Sequence, residues 1–253
     1  MINNKAVFDK LIQEAWEHDF SGWDFVFLPR SMLQAEPSWN YRERVLEKFP
    51  AADSLLDLDT GGGEFLSSLQ PLPRRTVVTE AYPPNVPIAG SRLAPLGVTV
   101  VDIPATGRLP FEVNSFDLII NRHGDINPPE IFRVLKPGKR FLTQQVGGRN
   151  NIRLNELLQD KGAFRDSGWS LLEAVRQLEA CGLRILDARE EYPKVEFTDI
   201  GAVVYYLKAI PWQVDGFSIE KYYGRLGSIH NSIEEKGKLE ILSHRFFIEA
   251  QKP

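Results

Sequence analysis

Polar residues and glycines recur along the chain where short apolar runs end, and these residue types can hold a small polar ligand. A glycine turn lets a ligand approach the backbone closely and presents the amide groups of a helix start. A carboxylate can accept two hydrogen bonds at once. The residues that end successive apolar runs are Gly61, Gly62, Gly63, Glu80, Asp102, Asn121 and Gln145. Their repeated placement predicts a ligand site.

The glycine turn after Leu58 does not fit two common phosphate-binding patterns. A dinucleotide-binding turn needs G-x-G-x-x-G/A, but the third position counted from Gly61 is Leu66. A P-loop needs Lys and then Ser or Thr after its glycines, and no such pair follows Gly63. The turn is therefore poorly suited to a pyrophosphate. Taken alone, it also fits a plain bend between a strand and a helix.

Alternating strands and helices must bring these residues to one edge. Apolar runs predict strands at 54–58, 75–79, 98–101, 116–120, 139–146, 183–188 and 244–250. Helical spacing and capping residues predict helices at 4–17, 38–49, 64–69, 130–135, 154–158, 170–180 and 199–209, with Ser38 as the cap of the second. Such alternation is typical of a mostly parallel sheet covered on both faces, where ligands bind beyond the carboxyl ends of the strands.

Several stretches follow one another in a known order. A strand with Asp-x-x-x-Gly-x-Gly spans 55–63, and an acid ends each of the next two strands. LPF and NSFDLI follow between 109 and 119, and EIFRVLKPGKRF fills 130–141. Over residues 51–148 this order resembles the class I S-adenosylmethionine-dependent methyltransferases of the small-molecule type. The resemblance implies a Rossmann-like, doubly wound α/β sheet, mostly parallel with an antiparallel last strand, and helices on both faces.

The resemblance also implies roles for the residues at the strand ends. Gly61 and Gly63 are expected under the methionine part of the cofactor, S-adenosylmethionine, and Asp57 near its amino group. Glu80 is expected on the ribose hydroxyls and Asp102 on the adenine amino group. The full set of expected cofactor-binding residues is Asp57, Asp59, Thr60, Gly61, Gly63, Glu80, Ala81, Asp102, Ile103 and Asn121.

Asp59 departs from the family pattern, which usually has glycine at this position. An acid narrows the turn and adds a negative charge. It can face the ammonium or sulfonium group of the cofactor, or it can mark a shifted or weakened site. The sequence leaves both readings open. Asp117, at the start of the fourth predicted strand, is expected to be structural rather than ligand-binding.

His123 lies after the fourth predicted strand, where the resemblance places residues that face the transferred methyl group. Methyl transfer is an in-line displacement on an activated cofactor, so the protein chiefly positions the reactants. A base is needed only where the acceptor must lose a proton. His123 is the catalytic candidate because the ordinary pKa of histidine is near neutrality. Its other roles would be to orient the substrate or to support the structure.

Composition and charge narrow the choice of partner. The 253 residues are 43% hydrophobic and 25% charged, with a formal net charge of −4 and no dense block of Lys and Arg. This argues against nucleic acid and favours a small-molecule acceptor. An RNA or protein methyltransferase of the same fold is one alternative, and a non-catalytic S-adenosylmethionine-binding protein is another. No residues have metal-ligand spacing, so no metal is expected.

We expect one methyltransferase domain over 1–253. It has an N-terminal helical extension (1–50), a cofactor-binding core (51–148) and a C-terminal part (149–253) with a helical insertion before the last strand. Cys181 is the only cysteine, which excludes an intrachain disulfide, and no apolar run is long enough to span a bilayer. We therefore expect a cytoplasmic protein, whose oligomeric state the sequence leaves open. Aromatic residues at 23–39 and 212–223 predict either a lid over the substrate or ordinary packing.

Overall fold

The computed structural model of the protein describes residues 4–18, 31–103, 107–159 and 168–253. The predicted lid segment at 23–39 therefore falls partly outside the described residues, at 23–30. In chain order the elements are α1 (Asn4–Glu17), β1 (Met32–Gln34), α2 (Tyr41–Leu46), β2 (Ser54–Leu58), α3 (Glu64–Ser67), β3 (Arg75–Glu80), α4 (Asn85–Leu93), β4 (Thr99–Asp102), β5 (Phe116–Arg122), α5 (Pro128–Val134), β6 (Leu135–Val146), α6 (Ile152–Leu158), α7 (Leu171–Ala180), β7 (Arg184–Glu191), β8 (Lys194–Phe197), α8 (Ile200–Ala209), α9 (Ile219–Lys236), β9 (Leu239–Leu242) and β10 (Arg245–Gln251).

The chain divides into two compact units, each built from three separate stretches. The first unit comprises Met1–Pro37, Gly148–Ser167 and Tyr192–His244. The second comprises Ser38–Gly147, Gly168–Glu191 and Arg245–Pro253. The description of the chain as a single methyltransferase domain stays a prediction.

The second unit contains a seven-stranded sheet in the order β4-β3-β2-β5-β6-β10-β7. The pairs β3–β4, β2–β3, β2–β5 and β5–β6 are all parallel. Strand β10 runs antiparallel to both of its neighbours, β6 and β7. This confirms the predicted Rossmann-like sheet, mostly parallel with an antiparallel last strand. The order switches between β2 and β5, which is where open sheets of this kind bind their ligands.

Apolar side chains cover both faces of this sheet. In β2, Leu55 packs on one face in a cluster with Leu93 of α4. Its neighbour Leu56 packs on the other face with Ile131 of α5. Because successive side chains of a strand point to opposite faces, a strand covered on both sides is mostly apolar and lacks a polar-apolar alternation. This is why mostly apolar runs predicted the central strands.

The start of helix α2 differs from the prediction that Ser38 caps it. Asn40 is the capping residue, and its side chain accepts the N–H of Glu43 at 3.2 Å. The backbone N–H of Ser38 instead donates to the carboxylate of Glu191 at 2.9 Å. The helix is also shorter than the predicted 38–49, since it ends at Leu46.

The first unit combines a three-stranded antiparallel sheet, β1-β8-β9, with helices α1, α6, α8 and α9. Helix α8 is buried along nearly its whole length, and Asp199 caps it by accepting the N–H of Ala202 at 2.8 Å. The strands of this sheet have only three or four residues, too few for an alternating pattern to reveal them. Among the described residues, no helix has the length and apolar character needed to cross a bilayer.

Asp117 ties the amino ends of two central strands together. Its carboxylate accepts the backbone N–H of Ser54 at 3.0 Å and the Ser54 hydroxyl at 2.8 Å. The amines of Lys136 and Lys139 lie 3.2 and 3.1 Å from the same carboxylate. Burial opposes ionisation of Asp117, but the Ser54, Lys139 and Lys136 hydrogen bonds outweigh it and lower the pKa of the carboxyl. The contacts are those of a structural residue, at the sheet edge opposite the predicted ligand site.

We expect Asp117→Asn to reduce the free energy of unfolding by about 1–3 kcal/mol at pH 7, measured by urea denaturation, because it removes a charged hydrogen-bond acceptor. Folding lowers the pKa of Asp117, so its contribution is complete above the ordinary carboxyl pKa and declines as the pH falls below it. The difference between variant and wild type should therefore shrink in acid. Asp53→Asn, at an exposed neighbouring carboxylate, should change stability by less than about 0.5 kcal/mol. Equal losses in both variants would contradict the assignment.

Candidate functional site

The carboxyl ends of β2, β3, β4 and β5 meet at one edge of the seven-stranded sheet. Glu80 and Asp102 are register partners on β3 and β4, and Leu58 pairs with Asn121 across the switch in strand order. The topology thus brings to this edge all ten residues that the sequence predicted: Asp57, Asp59, Thr60, Gly61, Gly63, Glu80, Ala81, Asp102, Ile103 and Asn121.

The turn between β2 and α3 requires glycine. Gly61 and Gly63 have φ angles of 64° and 79°, in the left-handed region that glycine adopts without strain. A Cβ atom at Gly63 would also lie 2.8 Å from the side chain of Leu93. The turn is closed by two backbone bonds, from Gly63 N–H to Thr60 O at 3.1 Å and from Thr60 N–H to Thr79 O at 3.0 Å.

Glu80 joins this turn to the loop that follows β3. Its side chain is buried, and one carboxylate oxygen accepts the N–H of Gly61 at 2.7 Å. The other oxygen accepts the N–H of Tyr82, also at 2.7 Å. A carboxylate offers about four lone-pair positions, so each oxygen can still accept a further hydrogen bond. The backbone carbonyl of Glu80 accepts the N–H of Ile103 at 3.2 Å, which attaches the end of β4 as well.

Asp57 is a buried acid directly behind the turn. Its carboxylate accepts the hydroxyl of Thr60 at 2.7 Å. Burial raises the pKa of Asp57 to about 7; the Thr60 bond lowers it, while the negative charges of Asp59 and Glu80 raise it. Asp57 therefore changes charge near neutral pH.

Asp59 occupies a backbone conformation that favours glycine, with φ of 57°. Desolvation raises its pKa to about 6, with the charges of Glu80 and Asp125 acting in the same direction. Its carboxylate accepts the backbone N–H of Asp125, which lowers the pKa in part. A Cβ atom at Gly124 would lie 2.5 Å from the Asp59 Cβ and 2.6 Å from its Oδ2. The acid thus packs against the loop that follows β5.

The side chain of Asn121, on β5, hydrogen-bonds to both neighbouring strands, β2 and β6. It is fully buried, and its amide nitrogen donates to Leu58 O at 3.1 Å. Its amide oxygen accepts the Thr143 hydroxyl at 3.1 Å and the Gln145 amide at 2.5 Å. Its backbone carbonyl accepts the hydroxyl of Tyr41 at 2.9 Å. These bonds occupy both ends of the Asn121 amide. The predicted contact between Asn121 and a cofactor stays a prediction.

Asp102 and Ile103 differ in exposure at the end of β4. Asp102 is exposed, whereas Ile103 is partly buried against the apolar cluster under β2 and β5. The exposed acid and the apolar side chain beside it are suited to a ring with a polar edge.

His123 also has a left-handed backbone, with φ of 66°. Its backbone N–H donates to the backbone carbonyl of Gln144 at 2.8 Å. Its ring atom Nε2 lies 3.2 Å from the side-chain nitrogen of Gln144. The side-chain oxygen of Gln144 accepts the indole N–H of Trp39 at 2.8 Å. Desolvation lowers the pKa of His123, and the positive charges of Arg245 and Arg122 lower it further. Although the residue keeps exposed surface, these two guanidinium groups oppose protonation of its ring.

Four residues at this edge were not predicted as site residues, namely Tyr41, Tyr82, Gly124 and Asp125, and Trp39 was predicted only as part of the aromatic segment 23–39. Trp39 and Tyr41 precede β2 in a segment that the sequence assigned to an N-terminal extension. Gly124 could have been predicted from the sequence, because it directly follows the polar residues at the end of β5.

No family model matches the chain, and no curated protein matches it. Solved structures match it at low sequence identity. The YcgJ protein of Bacillus subtilis is 18% identical with a TM-score of 0.59, over 84% of this chain and 97% of that one. A geranyl diphosphate methyltransferase in complex with SAM is 15% identical with a TM-score of 0.51, over 84% of each chain. The 4+2 cyclase SpnF is 15% identical with a TM-score of 0.50, over 99% of this chain and 95% of that one. These likenesses show the fold.

The contact between Gly124 and Asp59 can be tested by stability measurements. We expect Gly124→Ala to lower the free energy of unfolding by about 1–3 kcal/mol, because the new methyl group overlaps Asp59. The double variant Asp59→Gly, Gly124→Ala should recover most of the lost free energy of unfolding. It removes Cβ and Oδ2 of Asp59, the two atoms nearest to the new methyl group. Gly90→Ala is the matched control, because a Cβ there meets no atom within 4 Å. A double variant no more stable than Gly124→Ala would contradict this packing.

The stability of the ligand-free protein should depend on pH through Asp57. Folding raises the pKa of Asp57 to about 7, so the folded chain binds this proton more tightly than the unfolded chain. Its contribution to stability is complete below the ordinary carboxyl pKa and is lost as the pH rises through 7. In urea titrations from pH 4 to pH 8 without ligand, Asp57→Asn should lack this loss. Asp53→Asn should follow the wild-type curve, and a wild-type curve parallel to that of Asp57→Asn would rule out the raised pKa.

Proposed function

We propose that the protein is an S-adenosylmethionine-dependent methyltransferase that acts on a small-molecule acceptor. The observation that carries the proposal is the edge where β2 and β3 end. There a turn that requires glycine is bonded to the buried carboxylate of Glu80, which keeps lone pairs for further donors. The fold shared with a geranyl diphosphate methyltransferase in complex with SAM supports it. The likeness to a cyclase means that the fold by itself does not decide the reaction.

The residues at this edge fit the chemical groups of such a cofactor. The free lone pairs of Glu80 suit two ribose hydroxyls, and exposed Asp102 with apolar Ile103 suits the amino edge and the face of adenine. The glycine turn from Thr60 to Gly63 suits the methionine part, because glycine lets a ligand approach the backbone closely. Asp57, behind the turn, suits its amino group.

When bound, the cofactor supplies a methyl group already activated by a sulfonium. The task left to the chain is to hold that cation and the acceptor in line. The negative charge of Glu80 raises the pKa of both Asp57 and Asp59, and the charge of Asp59 also raises that of Asp57, so a positively charged ligand relieves this repulsion. The three acids therefore favour a cation at this edge over a neutral molecule of the same shape.

A small-molecule acceptor is favoured over nucleic acid by the charge of the chain. The formal net charge is −4, and binding to RNA requires basic groups that neutralise phosphates. The second candidate is a cofactor-binding protein without methyl transfer. Asp59 favours it, because an acid held against Gly124 narrows the turn where the related family usually has glycine.

Calorimetric titration with S-adenosylmethionine and with its demethylated product tests the proposal. Both should bind the wild type, and Glu80→Gln should weaken both by about 1–3 kcal/mol, because it removes the charge that strengthens the ribose bonds. Glu179→Gln, at an exposed position of α7, should bind like the wild type.

The possible outcomes separate the assignments. Failure of the wild type to bind either molecule would refute the proposed function. Normal affinity in Glu80→Gln would refute only the ribose assignment. Binding of the cofactor with no demethylated product formed across a panel of small oxygen, nitrogen and carbon acceptors would favour the non-catalytic candidate.

A further inference from the structure

His123, Gln144 and Trp39 form a chain of hydrogen bonds whose directions can be worked out. An indole N–H can only donate, so the atom of Gln144 that Trp39 contacts at 2.8 Å must be the amide oxygen. The amide nitrogen of Gln144 is then the atom beside His123, at 3.2 Å from Nε2. Because an amide nitrogen also only donates, Nε2 of His123 must accept.

An accepting Nε2 fixes the state of the imidazole. A ring nitrogen that accepts carries no proton, so the neutral ring has its proton on Nδ1. The charged ring, with protons on both nitrogens, would place two donors face to face at Gln144. Arg122 and Arg245 oppose that charged form as well.

Trp39 and Gln144 are themselves held by further contacts. Trp39 is buried and packs on Phe247 of β10, with ring centroids 6.3 Å apart. Gln144 belongs to β6, and its backbone carbonyl accepts the N–H of His123 at 2.8 Å. His123 is thus held at both its backbone and its ring, in a left-handed conformation that is uncommon for residues other than glycine.

We propose that Trp39 and Gln144 are positioning residues that hold His123 as a neutral Nδ1–H imidazole, so that it serves the site as a hydrogen-bond donor and not as a general base. Nδ1 makes no hydrogen bond within its own unit, as far as the structure describes it, and the residue is exposed. A donor there suits an acceptor molecule that presents an oxygen lone pair, such as a carbonyl, carboxylate or phenolate. Only this last step rests on the proposed function.

The test is nitrogen NMR of the histidine rings in the full-length, ligand-free chain at pH 7. Two-bond couplings from the ring protons tell a protonated Nδ1 from a protonated Nε2, and His123→Asn identifies the signals of His123. We expect a neutral ring with protonated Nδ1 in the wild type. A charged ring, or a ring protonated at Nε2, would overturn the proposal.

Two variants test the positioning role. In Gln144→Glu the carboxylate accepts from both Trp39 and His123, so the ring should become protonated at Nε2 and its titration midpoint should rise by roughly 1–3 pH units. In Trp39→Phe the amide is no longer oriented, and both neutral forms should appear. Gln34→Glu, at an exposed position of β1, is the control and should leave His123 unchanged.

If the protonation state and tautomer of His123 are the same as in the wild type in both Gln144→Glu and Trp39→Phe, neither residue sets the state of His123. The measurement needs no cofactor, so its outcome is independent of the calorimetric test. If the cofactor binds but His123 has the other tautomer, only the present proposal is refuted. If His123 has the predicted tautomer but the cofactor does not bind, only the proposed function is refuted.

Discussion

The geometry of the site depends on the two backbone N–H groups that donate to the buried carboxylate of Glu80. Burying an ionised carboxylate is costly unless hydrogen bonds replace its hydration. Here the donors come from different segments, the glycine turn at Gly61 and the loop at Tyr82. The need to satisfy one acid therefore fixes the distance between the two loops that border the site.

Asp57 and Asp59 add electrostatic repulsion to the site, because both are acids close to Glu80. Each is desolvated, and each feels the charge of Glu80, so the pKa of both is raised. Such clusters are typical of functional sites, because a structure selected only for stability would avoid them. The neutral imidazole of His123 lies at the end of the adjacent strand β5, and it adds a donor there without adding a positive charge.

The central strands were predictable because each is buried on both faces and most of its residues are apolar, as in Ser54–Leu58 and Phe116–Arg122. Their order placed the predicted site residues at one edge. What the sequence could not give were contacts between residues distant along the chain. Nothing in local spacing shows that Trp39 reaches Gln144, or that Gly124 packs on Asp59. The prediction that Ser38 caps α2 was wrong, because Asn40 is an equally good capping residue and Ser38 hydrogen-bonds to the distant Glu191 instead.

The position of β10 in the sheet has a consequence for how the chain acquires its structure. β10 lies between β6 and β7, yet it comes after both along the chain, and the chain passes between the two units five times. As the polypeptide is synthesised, β6 and β7 have no partner between them until residues 245–251 have emerged. Unpaired strand edges are prone to pair with other chains, and contacts this distant in sequence form slowly. The nascent protein therefore presents two unpaired strand edges, which other chains can pair with, until this last strand inserts.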